Sequence, residues 1–291
     1  LTWLLVYLLS VITCLLFGVI VSPTDPVAVM SVLKRIKIPV PLKTTIAGES
    51  LFNDGFVVVL YSILVTAIFG NSTNQQESMN VVNIISVFIQ EALGGVILGL
   101  ISGYLAYLIL KNIDDYIVEI ITTLALVTGG YTLSLYLHFS GPIAMVVSGI
   151  LIGNTGMRLA MSESTRTHVT SFWHLIDEIL NAVLFVLIGF EFVMLSGEKG
   201  VLLVSLFAIL VSLFSRWLAV FIPIKCLSII SKKEKGTISI LTWAGLRGGI
   251  SVALALALPA TFDKSIILTA TYGVVLFTIL IQGLSMESLI K

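Results

Sequence analysis

Charged residues are scarce in this chain of 291 residues, at 11% of the sequence, whereas ordinary soluble domains carry about 25%. A water-soluble globule of this size would lack the charges needed to cover its surface. This argues against a soluble enzyme, a nucleic-acid-binding protein and a disordered chain. Lys plus Arg and Asp plus Glu balance at 16 each, and 57% of residues are hydrophobic. The composition therefore predicts a polytopic membrane protein.

Cysteine is also nearly absent, since Cys14 and Cys226 are the only two and both lie in apolar stretches. Two isolated cysteines define neither a disulfide nor a metal site, so we interpret both as packing residues. The sequence has no HExxH motif and no paired Gly-x-Gly-Asp of intramembrane aspartyl proteases, which argues against a membrane enzyme. We expect no cofactor.

Long apolar runs fill almost the whole chain, and a bilayer needs about 20 apolar residues per helical span. We predict an all-α protein with about nine spans, because helices satisfy their own backbone in lipid. The predicted spans are 3–37, 42–69, 80–110, 116–137, 141–157, 168–195, 200–230, 236–258 and 264–285. One set of alternate loops holds 12 Lys and Arg residues and the other holds 2, which assigns the first set to the cytoplasm.

The first predicted span is interrupted at Ser22-Pro23-Thr24-Asp25-Pro26. Proline lacks an N–H and disfavours helix in the residue before it, so two prolines should open the helix. We expect the freed carbonyls from Ser22 to Thr24 to become cation ligands, with Asp25 at an N-cap position. The alternative is a capped kink without a functional role.

A polar motif, Gly48-Glu49-Ser50-Leu51-Phe52-Asn53-Asp54-Gly55, lies inside the second span. Ser50 and Asp54 are four residues apart and share a helix face. Glu49 points about 140° away from Asp54, so the two carboxylates should have different roles. A charge at the bilayer centre costs at least about 2.5–3.5 kcal/mol, which calls for a partner, a water cavity or a function. The alternative is a purely structural polar pair.

The eighth span is interrupted near 245–249, within Trp243-Ala-Gly-Leu-Arg247-Gly-Gly-Ile-Ser251. Its glycines loosen the helix, and Arg247 could neutralise carbonyls at a half-helix C-terminus and complement Asp25. The alternative is a glycine-lined packing seam with a snorkelling arginine. Two interrupted spans of opposite orientation in corresponding places indicate an inverted-repeat transporter.

Arg216 lies well inside the seventh span and needs a carboxylate partner. We predict that Glu49 provides it, which leaves Asp54 free to titrate; the alternative is an arginine that snorkels to the cytoplasmic side. Asp177 and Glu178 line a cytoplasmic funnel or lie at the interface. Three further acids, Glu91, Glu119 and Glu191, lie near span ends, where we expect them to be solvated.

Taken together, the three motifs in this order resemble those of the monovalent cation:proton antiporters, the sodium/proton exchangers, and the bacterial members are most similar in style. The resemblance covers essentially the whole chain. It implies a core domain with two crossed broken helices, a separate dimerisation domain and a homodimer. It also implies an ion pair of Glu49 with Arg216, and electroneutral exchange for an Asn-Asp pair. The family has more spans than this chain, so we expect an N-terminally truncated piece whose missing spans precede Leu1.

For the site, the resemblance implies that Asp54 binds the cation or the proton. The Thr24 backbone, Ser50 and Asp25 would complete the site, and Asn53 would support it. We assign 1–69 and 200–291 to the core transport bundle and 80–195 to a connecting helix and dimerisation helices.

The expected function is secondary active exchange of Na⁺, or else K⁺ or Li⁺, for protons across a bacterial plasma membrane by alternating access at Asp54, in the service of pH homeostasis. The expected partners are these ions, membrane lipid and a second copy of the chain, with no nucleic acid. A cation channel and a non-transporting sensor on the same fold remain as alternatives.

Overall fold

The computed structural model describes residues 11–25, 40–69, 81–195, 201–227, 236–259 and 262–290, and its regular structure there is helical throughout. The all-α prediction is therefore confirmed for these residues. The first helices in chain order are α1 (Val11–Val21), α2 (Val40–Phe69), α3 (Val81–Asn112), α4 (Tyr116–Tyr136), α5 (Gly141–Leu151) and α6 (Glu163–Leu195). They are followed by α7 (Val201–Leu227), α8 (Thr237–Trp243), α9 (Gly249–Leu256), α10 (Phe262–Phe277) and α11 (Gly283–Ile290). A π-helical turn at Ile152–Gly156 and a short helix at Met157–Leu159 extend α5, and a second π-helical turn, Thr278–Gln282, joins α10 to α11.

Among the described residues, 7 helices are long and apolar enough to cross a membrane. The predicted count of nine is not confirmed. The two predicted spans without such a helix are the first and the eighth, which are the two that the sequence marks as interrupted. In the eighth span the interruption leaves helices of 7 and 8 residues, which are too short for a continuous crossing, whereas most of the first span lies outside the described residues.

Both helix breaks occur where the sequence predicts them. α1 ends at Val21 and residues 22–25 are not helical, while the chain from Pro26 to residue 39 lies outside the described residues. The second break separates Trp243, the last residue of α8, from Gly249, the first of α9. Proline in the first break and glycine in the second supply the local cause in each case.

The chain divides into two compact units, one made of Leu1–Val57 with Phe185–Lys291 and the other of Val58–Leu184. In the first unit a buried cluster joins α2, α7, α8, the second break and α11 through Ile46, Val220, Leu241, Leu246 and Met286, among others. The transport and dimerisation roles that we assign to 1–69, 200–291 and 80–195 stay predictions.

In the second unit, α3 packs closely along α5 through glycines spaced four residues apart, Gly95, Gly99 and Gly103. A Cβ built on Gly95 would come within 2.8 Å of the Ser140 carbonyl oxygen, and one on Gly103 within 3.0 Å of Ser148 Cα. Small residues at this spacing let helix backbones approach closely in a membrane protein. Trp173 also donates a hydrogen bond from Nε1 to Thr123 Oγ1 at 3.0 Å, which joins α6 to α4.

Two expectations about individual side chains are wrong. Cys14 and Cys226 are exposed free thiols rather than packing residues, because each lies on a helix face that no described element covers. Glu119 is not solvated but 1% exposed. It lies in the first turn of α4, beside Thr165 at the start of α6.

Candidate functional site

The first break lies against the polar motif in the middle of α2. The buried hydroxyls of Thr24 and Ser50 are hydrogen-bonded to each other at 2.9 Å. One turn along α2, Asn53 donates from Nδ2 to the Ser22 carbonyl at 2.8 Å. The helical spacing of Ser50 and Asn53 therefore places two polar side chains of α2 against one short stretch of unwound backbone.

The second break contacts the first through backbone and side chain. The backbone N–H of Asp25 donates to the Leu246 carbonyl at 2.7 Å. The buried Arg247 guanidinium donates from one nitrogen to the Ser22 carbonyl and to the Pro23 carbonyl, the latter at 3.3 Å. These carbonyls follow the C-terminal end of α1, where the helix dipole is negative and favours a cation.

These contacts bear on the expectation that carbonyls of the first break bind a cation. We expected the carbonyls from Ser22 to Thr24 to serve as cation ligands, yet the Ser22 carbonyl accepts from both Asn53 and Arg247. A carbonyl oxygen has two lone pairs, so two donors saturate it. The Pro23 carbonyl also accepts from Arg247. Protein donors therefore saturate the Ser22 carbonyl and bind the Pro23 carbonyl, whereas cation binding by the Thr24 carbonyl stays a prediction.

Asp54 is the acid of the α2 motif that has an unsatisfied carboxylate oxygen. Its Oδ1 atom is buried and has no hydrogen-bond partner among the described residues. Asp25 is close enough for its charge to act on Asp54. A buried carboxylate oxygen without a donor is energetically costly in an apolar environment, so it favours a bound proton or cation.

The carboxylate of Asp25 packs directly on the backbone of the second break. A Cβ built on Gly248 would come within 2.7 Å of both Cβ and Oδ2 of Asp25. Only glycine leaves room for this approach. Thr24 and Asp25 of the first break therefore lie beside Ser50 and Asn53 of α2 and beside Arg247 of the second break.

Glu49 and Arg216 form a separate ion pair on another face of α2. The two guanidinium nitrogens each contact one carboxylate oxygen, NH2 to Oε2 at 3.0 Å, in a bidentate arrangement. Arg216 also donates to the Leu241 carbonyl at 2.9 Å, near the end of α8. Its side chain packs on Gly245. The pair therefore ties α2, α7 and the second break together.

One residue of the site has no signal in the sequence. The Thr278 hydroxyl accepts a hydrogen bond from the backbone N–H of Arg247 at 3.1 Å. Threonine is common in apolar helices, and nothing near Thr278 in the sequence distinguishes it. Only the fold shows that it contacts the second break.

The chain also matches a known protein family over its whole length. The family described as "Sodium/hydrogen exchanger, transmembrane" matches residues 1–291. The chain belongs to the sodium/hydrogen exchanger family. Membership explains the polar motifs inside apolar spans, and it makes the chain part of a family of secondary transporters rather than enzymes. It is a multi-pass integral membrane protein of the plasma membrane, as the sequence predicts.

Individual relatives agree with this family assignment. The chain is 47% identical over 290 residues to the Na(+)/H(+) antiporter NhaP of Pseudomonas aeruginosa, covering 96% of this chain and 66% of that protein. It is 36% identical over 278 residues to the Na(+)/H(+) antiporter NhaH of Halobacillus dabanensis, covering 94% and 67% respectively. This exchanger chain therefore spans about two-thirds of the length of these relatives.

Among solved structures, the sodium proton antiporter MjNhaP1 from Methanocaldococcus jannaschii has the same fold. The TM-score is 0.76 at 23% sequence identity, and the match covers 96% of this chain and 70% of that one. At this identity the likeness bears on the fold alone. It supports the antiporter fold that the two helix breaks predict.

Proposed function

We propose that the protein to which this chain belongs exchanges a monovalent cation, Na⁺ before K⁺ or Li⁺, for protons, and that Asp54 is the exchange site. The observation that carries the proposal is the buried Asp54 Oδ1, which lacks a hydrogen-bond partner among the described residues. This atom belongs to an apolar helix long enough to cross a membrane and lies in the motif that contacts the first break. A proton or a metal cation would each satisfy it.

Competition for this one carboxylate couples the two ions. A desolvated carboxylate is stable only when neutralised, so Asp54 holds either a proton or the cation but not both. If only the neutralised site changes its access from one side to the other, exchange is obligatory and leak is small. The gradient of one ion then drives the other by alternating access.

The neighbouring groups suit a small monovalent cation. The Thr24 and Ser50 hydroxyls share one hydrogen bond, so each oxygen keeps a lone pair that can face a cation. Asp25 adds a second carboxylate nearby. Asn53 is neutral and holds the first break through Ser22, which supports a one-for-one, electroneutral exchange.

The larger-scale assignments are part of the same proposal. The segments 1–69 and 200–291 carry the transport site, since the polar contacts described for the candidate site lie within residues 22–54 and 216–278. The segment 80–195 serves the dimer and the scaffold. Homodimerisation and a role in pH homeostasis follow from the resemblance to the family.

The test uses the full-length protein in proteoliposomes, with Na⁺-driven proton movement followed by a pH-sensitive dye. Asp54→Asn should abolish exchange, because a neutral amide neither takes up the proton nor balances the charge of the cation. The matched control is Asp114→Asn, which makes the same substitution at an exposed acid between α3 and α4 and should leave exchange intact. Undiminished exchange by Asp54→Asn would refute the assignment.

The same preparation separates the alternatives. Because proton and cation compete, the Na⁺ concentration that gives half-maximal exchange should rise as the pH falls. A channel would instead carry a large current in planar bilayers, and a sensor would show no ion-dependent proton flux. Replacing Na⁺ by K⁺ or Li⁺ in parallel vesicles identifies the transported cation.

A further inference from the structure

The backbone of the second break is hydrogen-bonded on two sides. One of its partners is Thr278, which follows α10. Thr278 begins the π-helical turn after α10 and is 3% exposed. Its hydroxyl accepts from the Arg247 N–H at 3.1 Å and donates to the Val275 carbonyl at 2.9 Å. A single side-chain oxygen thus joins the π-helical turn to the break.

This hydrogen bond answers a need that the break creates. Interrupting a helix removes the carbonyl four residues back as a partner, so each buried N–H of the break requires a substitute. The Arg247 N–H is buried and takes Thr278 as its acceptor. On the other side, the Leu246 carbonyl accepts from the Asp25 N–H at 2.7 Å.

The position of the Arg247 backbone matters because it fixes three contacts with the first break. Its guanidinium donates to the Ser22 and Pro23 carbonyls. The preceding residue binds the backbone of Asp25, and the following residue, Gly248, forms the surface on which the Asp25 carboxylate packs. A shift of this segment would move both an arginine and a carboxylate beside Asp54.

We propose that Thr278 is a positioning residue of the cation site, acting through the backbone of Arg247. The proposal rests on the proposed exchange function at Asp54. The π-helical turn supports it, because such turns are rare and occur frequently at functional sites. Here the turn begins at the residue that supplies the acceptor.

The variants are chosen to remove one hydrogen bond at nearly constant shape. Thr278→Val replaces the hydroxyl by a methyl group, whereas Thr278→Ser keeps the acceptor. Thr271→Val, in the adjoining helix α10, is the matched control. Thr271 is 0% exposed, and its hydroxyl has no hydrogen-bond partner among the described residues.

In proteoliposomes of the full-length protein, Thr278→Val should raise the Na⁺ concentration for half-maximal exchange about tenfold, since it strands a buried N–H. The maximal rate should change less. Thr278→Ser and Thr271→Val should both stay within about twofold of the wild type. An equal loss in Thr278→Ser and Thr278→Val would overturn the proposal, because the acceptor would then be irrelevant.

A second measurement does not depend on exchange. Hydrogen–deuterium exchange of the peptide containing Arg247 should be about tenfold faster in Thr278→Val, and unchanged in Thr271→Val, because the amide loses its acceptor. If the wild type exchanges no Na⁺ while the amide responds as expected, the proposed function fails and the hydrogen bond stands. If Na⁺ exchange is intact in the wild type and Thr278→Val leaves its Na⁺ dependence unchanged, the positioning role is refuted.

Discussion

Neutralising Glu49 should destabilise the protein far more than neutralising a surface acid. Glu49→Gln keeps the side-chain size but leaves the Arg216 guanidinium, which is 9% exposed, without its charge partner. Stranding one member of a buried pair typically costs 3–5 kcal/mol. The Glu49 side chain is 34% exposed, so water already screens part of the interaction. We therefore expect a loss of about 3 kcal/mol in the free energy of unfolding.

The chain supplies its own control for this effect. Arg166 and Glu163 form an ion pair at 3.6 Å, with the glutamate side chain 95% exposed. Exposed pairs contribute about 0–1 kcal/mol, so Glu163→Gln should change the unfolding free energy by no more than about 0.5 kcal/mol. The measurement is reversible unfolding of the full-length protein in mixed detergent micelles.

A double-mutant cycle separates the pair from other losses. Arg216→Met removes the charge, the hydrogen bond to the Leu241 carbonyl and part of the packing on Gly245. Combined with Glu49→Gln, it should be less destabilising than the sum of the two single variants by about 2 kcal/mol, since no charge is then stranded. Strict additivity, or a Glu49→Gln effect as small as that of Glu163→Gln, would show that the ion pair is not structural.

Two further substitutions test the contact between the breaks. Gly248→Ala should reduce Na⁺-driven proton movement at least tenfold, because its Cβ would lie 2.7 Å from Asp25 Oδ2. Gly129→Ala, with no atom within 4 Å of the built Cβ, should transport normally and be more stable by up to about 1 kcal/mol. Asn53→Asp should lose the donor to the Ser22 carbonyl, lower the unfolding free energy by about 1 kcal/mol, and make exchange sensitive to membrane potential. A normal exchange rate in Gly248→Ala, or potential-independent exchange in Asn53→Asp, would contradict these expectations.

Sequence reasoning located the breaks and the polar motif because both are expensive in lipid. Proline and clustered glycine inside an apolar run leave few alternatives to an interrupted helix. Similarly, Arg216 inside a span requires a carboxylate partner. Glu49 is the natural candidate, because Asp54 is expected to exchange the proton and the cation. The structure brings this pair together with bidentate geometry.

The features that sequence reasoning missed depend on tertiary contacts with no local signature. Glu119 lies at a helix start, where acids are ordinarily solvated, yet it is buried with Thr165 of α6 beside it. The prolines predict free carbonyls, but the donors that occupy them come from Asn53 and Arg247, which are 31 and 225 residues away from Ser22. Thr278 is distinguished from other threonines by the hydrogen bond that it accepts from the Arg247 N–H, which the sequence does not reveal.

The charges around the breaks suit the one-for-one exchange that we propose. Glu49 and Arg216 neutralise each other in a separate pair. Among the residues that the structure describes, the other charged side chains at the breaks are Asp25, Asp54 and Arg247, which sum to a single negative charge when both acids are ionised. One proton or one monovalent cation therefore brings the site to zero, and zero net charge minimises the energetic cost of a site within the bilayer. A divalent cation would leave it positive. In the exchange that we propose, the fixed charge of Arg247 therefore sets the site to accept one monovalent charge at a time.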